Sequence, residues 1–121
     1  MLVNYAAVAL GALFGVFARI FATKWMKQLW HGPFPLATFV INLSGAFALG
    51  FITAIGFSKP LALLAGTGFI GTYTTFSTLM VESFELMRRK QRVFFWIYIG
   101  GSYVFGMMAV FSGLLLGSRL N

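Results

Sequence analysis

Four apolar stretches follow one another with only short connectors between them, and this pattern decides which solvent the chain can fold in. They run from Val3 to Thr23, Leu36 to Phe57, Leu61 to Met87 and Val93 to Leu116. Each has the roughly 20 residues that a helix needs to cross about 30 Å of hydrocarbon. The residues Trp25, Trp30 and Trp96 fall at or near span ends, where amphipathic rings anchor a protein at the membrane–water boundary. Hydrophobic residues make up 60% of the chain and charged ones 9%, more apolar surface than a water-soluble domain of 121 residues can hide. The first span reads as a membrane helix and not as a cleaved leader, because no basic segment precedes it and no cleavage-like site follows. The reading is one all-α membrane domain over residues 1–121, with four transmembrane helices and no extramembrane domain.

Several chemistries fall away on composition. The chain has no cysteine, which removes disulfides and thiolate metal sites. Its lone His31 lies beside Gly32 and Pro33 in a connector, a poor setting for a zinc ligand or a catalytic base. No nucleophile–base pair or metal cluster is visible, so an enzyme is not expected. The net charge of +7 fits anionic headgroups better than nucleic acid. Lys24, Lys27, Arg88, Arg89, Lys90 and Arg92 lie on one side, and only Lys59 and Arg119 on the other. The positive-inside tendency then puts both termini outside the cytoplasm.

The third span contains the chain's most informative segment, Gly71-Thr72-Tyr73-Thr74-Thr75-Phe76-Ser77-Thr78. Irregular backbone at membrane depth costs several kcal/mol per unsatisfied group unless it lines a cavity or lies buried in protein. Broken helices of this kind are where carbonyls meet cations and helix ends meet anions. A break near residues 71–75 is therefore expected. Other polar groups at depth are few. Asn42 lies about 9 Å along its helix from Leu36. Tyr98 and Ser102, four apart, share a face of the fourth span, and Arg19 sits near the end of the first. Glu82 and Glu85 lie close enough to the basic run Arg88–Arg92 to pair with it. No carboxylate lies deep in the first, second or fourth span, which argues against a cation channel or proton relay. Amide, hydroxyl and N–H donors suit a small anion, helped by the positive edges of phenylalanine rings. The spacings Gly11–Gly15 and Gly113–Gly117 allow close backbone approach. Each pair alone reads as packing within the chain; together with the small monomer, the glycines argue for an oligomer, most simply a dimer.

These motifs resemble the Fluc (CrcB) family of fluoride channels over almost the whole chain. The residues carrying the resemblance are Gly11-Ala12-Leu13-Phe14-Gly15 with Arg19, Thr38-Phe39-Val40-Ile41-Asn42-Leu43-Ser44-Gly45, and Gly68-Phe69-Ile70-Gly71 leading into Thr74-Thr75-Phe76-Ser77-Thr78. The last block is the specific one. The resemblance implies an antiparallel, dual-topology dimer in the cell's inner (plasma) membrane, with two fluoride pores and a structural sodium ion on the central axis. It makes Gly71 and Thr74 the sodium ligands through their carbonyls. It makes Asn42 the pore amide, Phe76 the first pore phenylalanine, and Ser77 and Thr78 the neighbouring hydroxyls. Tyr98 and Ser102 become the polar track, and Arg19 the basic residue near the pore mouth.

One position departs from the family pattern. Leu79 stands where the second pore phenylalanine is expected, three residues after the first and on the same helix face. Together with the lopsided basic residues, this opens two assemblies: an antiparallel homodimer, which is preferred because nothing shows a second subunit, or a heterodimer with a paralogue. The expected function is passive, fluoride-selective export from the cytoplasm. The alternatives are a small multidrug-type, proton-coupled exporter, which would need a carboxylate in the first helix, and a non-conducting subunit of a heterodimeric channel.

Overall fold

The computed structural model describes residues 1–32 and 34–120; Pro33, assigned above to the first connector, lies outside them. The described residues fold into helices throughout their secondary structure. Helix α1 spans Leu2–Leu29 and α2 spans Leu36–Ile55. The short α3, Lys59–Ala62, leads into a π-helix, Leu63–Ile70, and then the single turn α4, Gly71–Tyr73. After two extended residues come α5, Phe76–Arg88, and α6, Arg92–Leu120. Three helices, α1, α2 and α6, are long and apolar enough to cross a membrane.

Helix α1 does not stop at Thr23. It carries Lys24, Trp25 and Lys27 onward in helical conformation, because no glycine or proline interrupts the sequence before Leu29. The connector that remains is closed by the Trp30 indole N–H, which donates to the Phe34 carbonyl at 2.8 Å.

Packing divides the molecule into two helix pairs. The π-helix and α4 lie along α1, whereas α2 lies along α6. Backbones touch in both pairs. A Cβ on Gly11 would strike the Leu64 carbonyl, and one on Gly68 would sit 2.6 Å from the Val8 carbonyl. In the second pair, a Cβ on Gly113 would strike the Phe47 carbonyl. Small residues at such crossings replace the hydrophobic drive that lipid does not supply, as expected for packing within the chain. Thr72 adds a polar tie: its Oγ1 lies 3.0 Å from the Ala12 carbonyl and 2.9 Å from that of Gly68. The extended residues then let the chain change partners, since α5 packs on α6. A small core forms there from Leu79, Leu86 and Tyr98.

Candidate functional site

The break falls at Thr74 and Thr75, both extended, with φ −79°, ψ 160° and φ −150°, ψ 122°. Helix α2 holds it in place. The Thr75 N–H donates to Asn42 Oδ1 at 2.9 Å, and Asn42 Nδ2 donates to the Thr75 carbonyl at 3.0 Å. One side chain thus satisfies both main-chain groups of a residue 33 positions away. A few residues along, the Ser44 and Tyr73 hydroxyls meet at 2.9 Å. Thr74 turns its own hydroxyl back to the Ile70 carbonyl at 2.9 Å.

Thr75 caps α5. Its Oγ1 accepts from the Thr78 N–H at 3.2 Å and lies 3.0 Å from the Thr78 hydroxyl. Ser77 Oγ is 3.5 Å from the same atom. Ahead of this hydroxyl cluster the Phe76 and Ser77 N–H groups open α5, with no intrahelical carbonyl behind them. A helix start of this kind carries a partial positive charge and favours anions.

A cavity of about 340 Å³ reaches this cluster and is lined by Arg19, Lys24, Lys27, Thr38, Thr75, Thr78 and Glu82 among others. Arg19, from α1, and Thr78, from α5, therefore face one space. On the other side of the break an apolar groove is lined by Asn42, Thr74, Phe76 and Leu79. Phe76 points outward with 62% of its surface exposed, whereas Leu79 is only 5% exposed and belongs to the core. Gly71 lies exposed at the start of α4.

Tyr98 and Ser102 part company although they share a helix face. Tyr98 has no exposed surface, and its hydroxyl donates to Glu82 Oε1 at 3.0 Å. Ser102 Oγ is shielded and has no hydrogen-bond partner, beside a groove lined by Ala46, Gly106 and Val110. Pairing with the basic run holds for Glu85, which meets Arg88 at 2.6 Å and Arg89 at 3.8 Å. Glu82 instead turns to Tyr98 and to the Arg19 cavity. Sequence reasoning missed this residue, although its spacing from Thr75 and Thr78, seven and four positions, puts all three on one face.

Together these features define a multi-pass membrane protein with an opened helix beside a basic, hydroxyl-rich cavity. The chain belongs to the CrcB family: the model described as "CrcB-like protein, Camphor Resistance (CrcB)" matches residues 6–114. It is 44% identical over 117 residues to "Fluoride-specific ion channel FluC 1" of Listeria monocytogenes serotype 4b, covering 97% of this chain and 99% of that protein. It is 43% identical over 110 residues to "Fluoride-specific ion channel FluC 2" of Bacillus thuringiensis subsp. konkukian, covering 91% and 93%. A FluC 1 protein of Geobacillus kaustophilus is 38% identical over 111 residues, covering 91% and 94%. The resemblance read from the Thr-Thr-Phe-Ser-Thr block is borne out. These relatives are named as ion channels and not as enzymes.

Proposed function

We propose that this chain forms a fluoride-selective channel, through which the anion leaves the cytoplasm passively across the inner (plasma) membrane. The observation that carries the reading is the opened third segment, whose Thr75 and Thr78 line one cavity with Arg19 at the start of α5. A small, strongly hydrated anion gives up water only where donors replace it, and conduction needs that replacement at several weak positions. Arg19 draws the anion in. Thr78, Ser77 and the second Nδ2 hydrogen of Asn42 donate to it, and the edge of Phe76 adds its partial positive charge. The unpartnered hydroxyl of Ser102 suits the same path, and buried Tyr98 supports it from behind. Residues 59–88, broken as they are, make the fourth crossing of the membrane.

The residues also fit a structural sodium ion. In an unbroken helix the Gly71 and Thr74 carbonyls would accept from the Thr75 and Thr78 N–H groups. Those donors go elsewhere, to Asn42 Oδ1 and Thr75 Oγ1. Of the carbonyls that the break deprives of helical donors, those of Gly71 and Thr74 in each chain, related by the two-fold axis of an antiparallel dimer, would present four oxygens to a hard cation. Such an ion supplies fixed positive charge beside the anion path and ties the subunits together.

Purified protein in fluoride-loaded liposomes should release fluoride and retain chloride. Vesicles that stay fluoride-tight with the protein alone and with a candidate paralogue would overturn the proposal. Leu79 sets the second arm of the test, since its aliphatic side chain offers no ring edge. Efflux from the protein alone selects the homodimer, and efflux only with the paralogue selects the heterodimer. Proton-driven uptake of ethidium would favour the multidrug-type exporter instead.

A further inference from the structure

We infer that Asn42 and Thr75 are positioning residues for the cation site: their side chains hold the third segment open by taking donors from the Gly71 and Thr74 carbonyls. The inference rests on the proposal that those carbonyls hold sodium.

A break between Tyr73 and Phe76 strips helical donors from the carbonyls of residues 71–74. The four donors concerned are the N–H groups of residues 75–78. Those of Phe76 and Ser77 simply head α5. The remaining two are claimed by specific side-chain oxygens, at 2.9 Å for Thr75 on Asn42 Oδ1 and 3.2 Å for Thr78 on Thr75 Oγ1. Their abandoned acceptors are the two carbonyls of Gly71 and Thr74. Each side chain thus substitutes for one carbonyl, and the pair of them accounts for both.

The two claims are not alike in reach. Thr75 acts on its own helix as an ordinary N-cap. Asn42 acts from α2, and its Nδ2 also grips the Thr75 carbonyl at 3.0 Å, so the extended backbone is pinned from both sides. Thr74 does not compete, because its hydroxyl is bonded to the Ile70 carbonyl. One Nδ2 hydrogen of Asn42 is left for an anion. The same amide therefore serves the anion path with one group and the cation site with another, and substitutions can separate the two.

The test is the thermal unfolding of purified protein in sodium chloride against N-methylglucamine chloride at equal ionic strength. The parent protein should melt higher in sodium, with a saturable dependence. Thr75→Ser keeps the hydroxyl and should keep that dependence. Thr75→Ala and Asn42→Leu should need at least tenfold more sodium for half the shift. Asn42→Asp keeps an oxygen for the Thr75 N–H but no donor; it should keep the sodium response while losing fluoride efflux. Asn42→Ala, which also removes both groups, carries the Asn42 arm should Asn42→Leu fail to fold, with the same loss of sodium response expected and a parent-like response overturning the role. If Thr75→Ala and Asn42→Leu respond to sodium as the parent does, the positioning role is wrong and the sodium reading stands. If the parent itself shows no sodium response, both fall.

Discussion

Replacing Gly45 by Ala tests whether α2 sets the position of the break. Gly45 is buried where Thr74 passes, and a Cβ there would run into Thr74 Cγ2 and lie 3.4 Å from Tyr73 Cδ2. The Thr74 methyl cannot swing aside freely, because the hydroxyl on the same carbon is bonded to the Ile70 carbonyl at 2.9 Å. Rotating it breaks that bond, at about 1 kcal/mol. Shifting the backbone instead costs about 1–3 kcal/mol, as overpacking does. The better helix propensity of alanine offsets about 1 kcal/mol of either. The net loss, at most about 2 kcal/mol, leaves the protein folded. The strain nevertheless falls on Thr74, whose carbonyl is a proposed sodium ligand. Each 1.4 kcal/mol of strain released by moving that carbonyl weakens the cation about tenfold. Fluoride efflux and the sodium-dependent melt are read side by side, with Gly100→Ala as control, since nothing lies within 4 Å of a Cβ there. Should Gly45→Ala conduct and melt like Gly100→Ala, the contact between α2 and Thr74 does not govern the site.

Two further outcomes follow from the same geometry. Arg19→Ala should slow fluoride efflux at low ionic strength, with the difference shrinking near 1 M salt, where screening acts within about 3 Å; a deficit independent of salt would point to a packing role. Tyr98→Phe removes the hydroxyl that donates to Glu82 and should cost about 1.5–3 kcal/mol in thermal or chemical denaturation. Glu82→Gln keeps an acceptor for Tyr98 and should lose less; the reverse ranking would refute the pairing.

The three long apolar helices and the polar block were legible because apolar length and a run of hydroxyls within an apolar stretch are local signals. The extended stretch at Thr74 and Thr75 falls inside the interval read from residues 71–75. What tertiary contact decides was not. Asn42 stood out as an intramembrane amide, but only its distance from Thr75 reveals that it holds that residue's main chain on both sides. Glu82 and Tyr98 are 16 positions apart on different helices, and no periodicity links them; proximity to Arg88–Arg92 suggested the wrong partner for Glu82 and the right one for Glu85. Nor does Leu63–Ile70 carry any local mark of a π-helix. Its glycines read equally well as close packing, which is what they provide against the backbone of α1.

That coil has a consequence for the residues beyond it. Because it closes its hydrogen bonds five residues back and not four, one circuit takes more chain than in an α-helix. Relaxing it to α-helical form with every residue kept would rotate Gly71 and Thr74 about the axis by about 100°, one residue's worth. Excising one residue as it relaxes would largely cancel that turn. The compass bearing of the opened turn is thus written in the winding of the stretch before it.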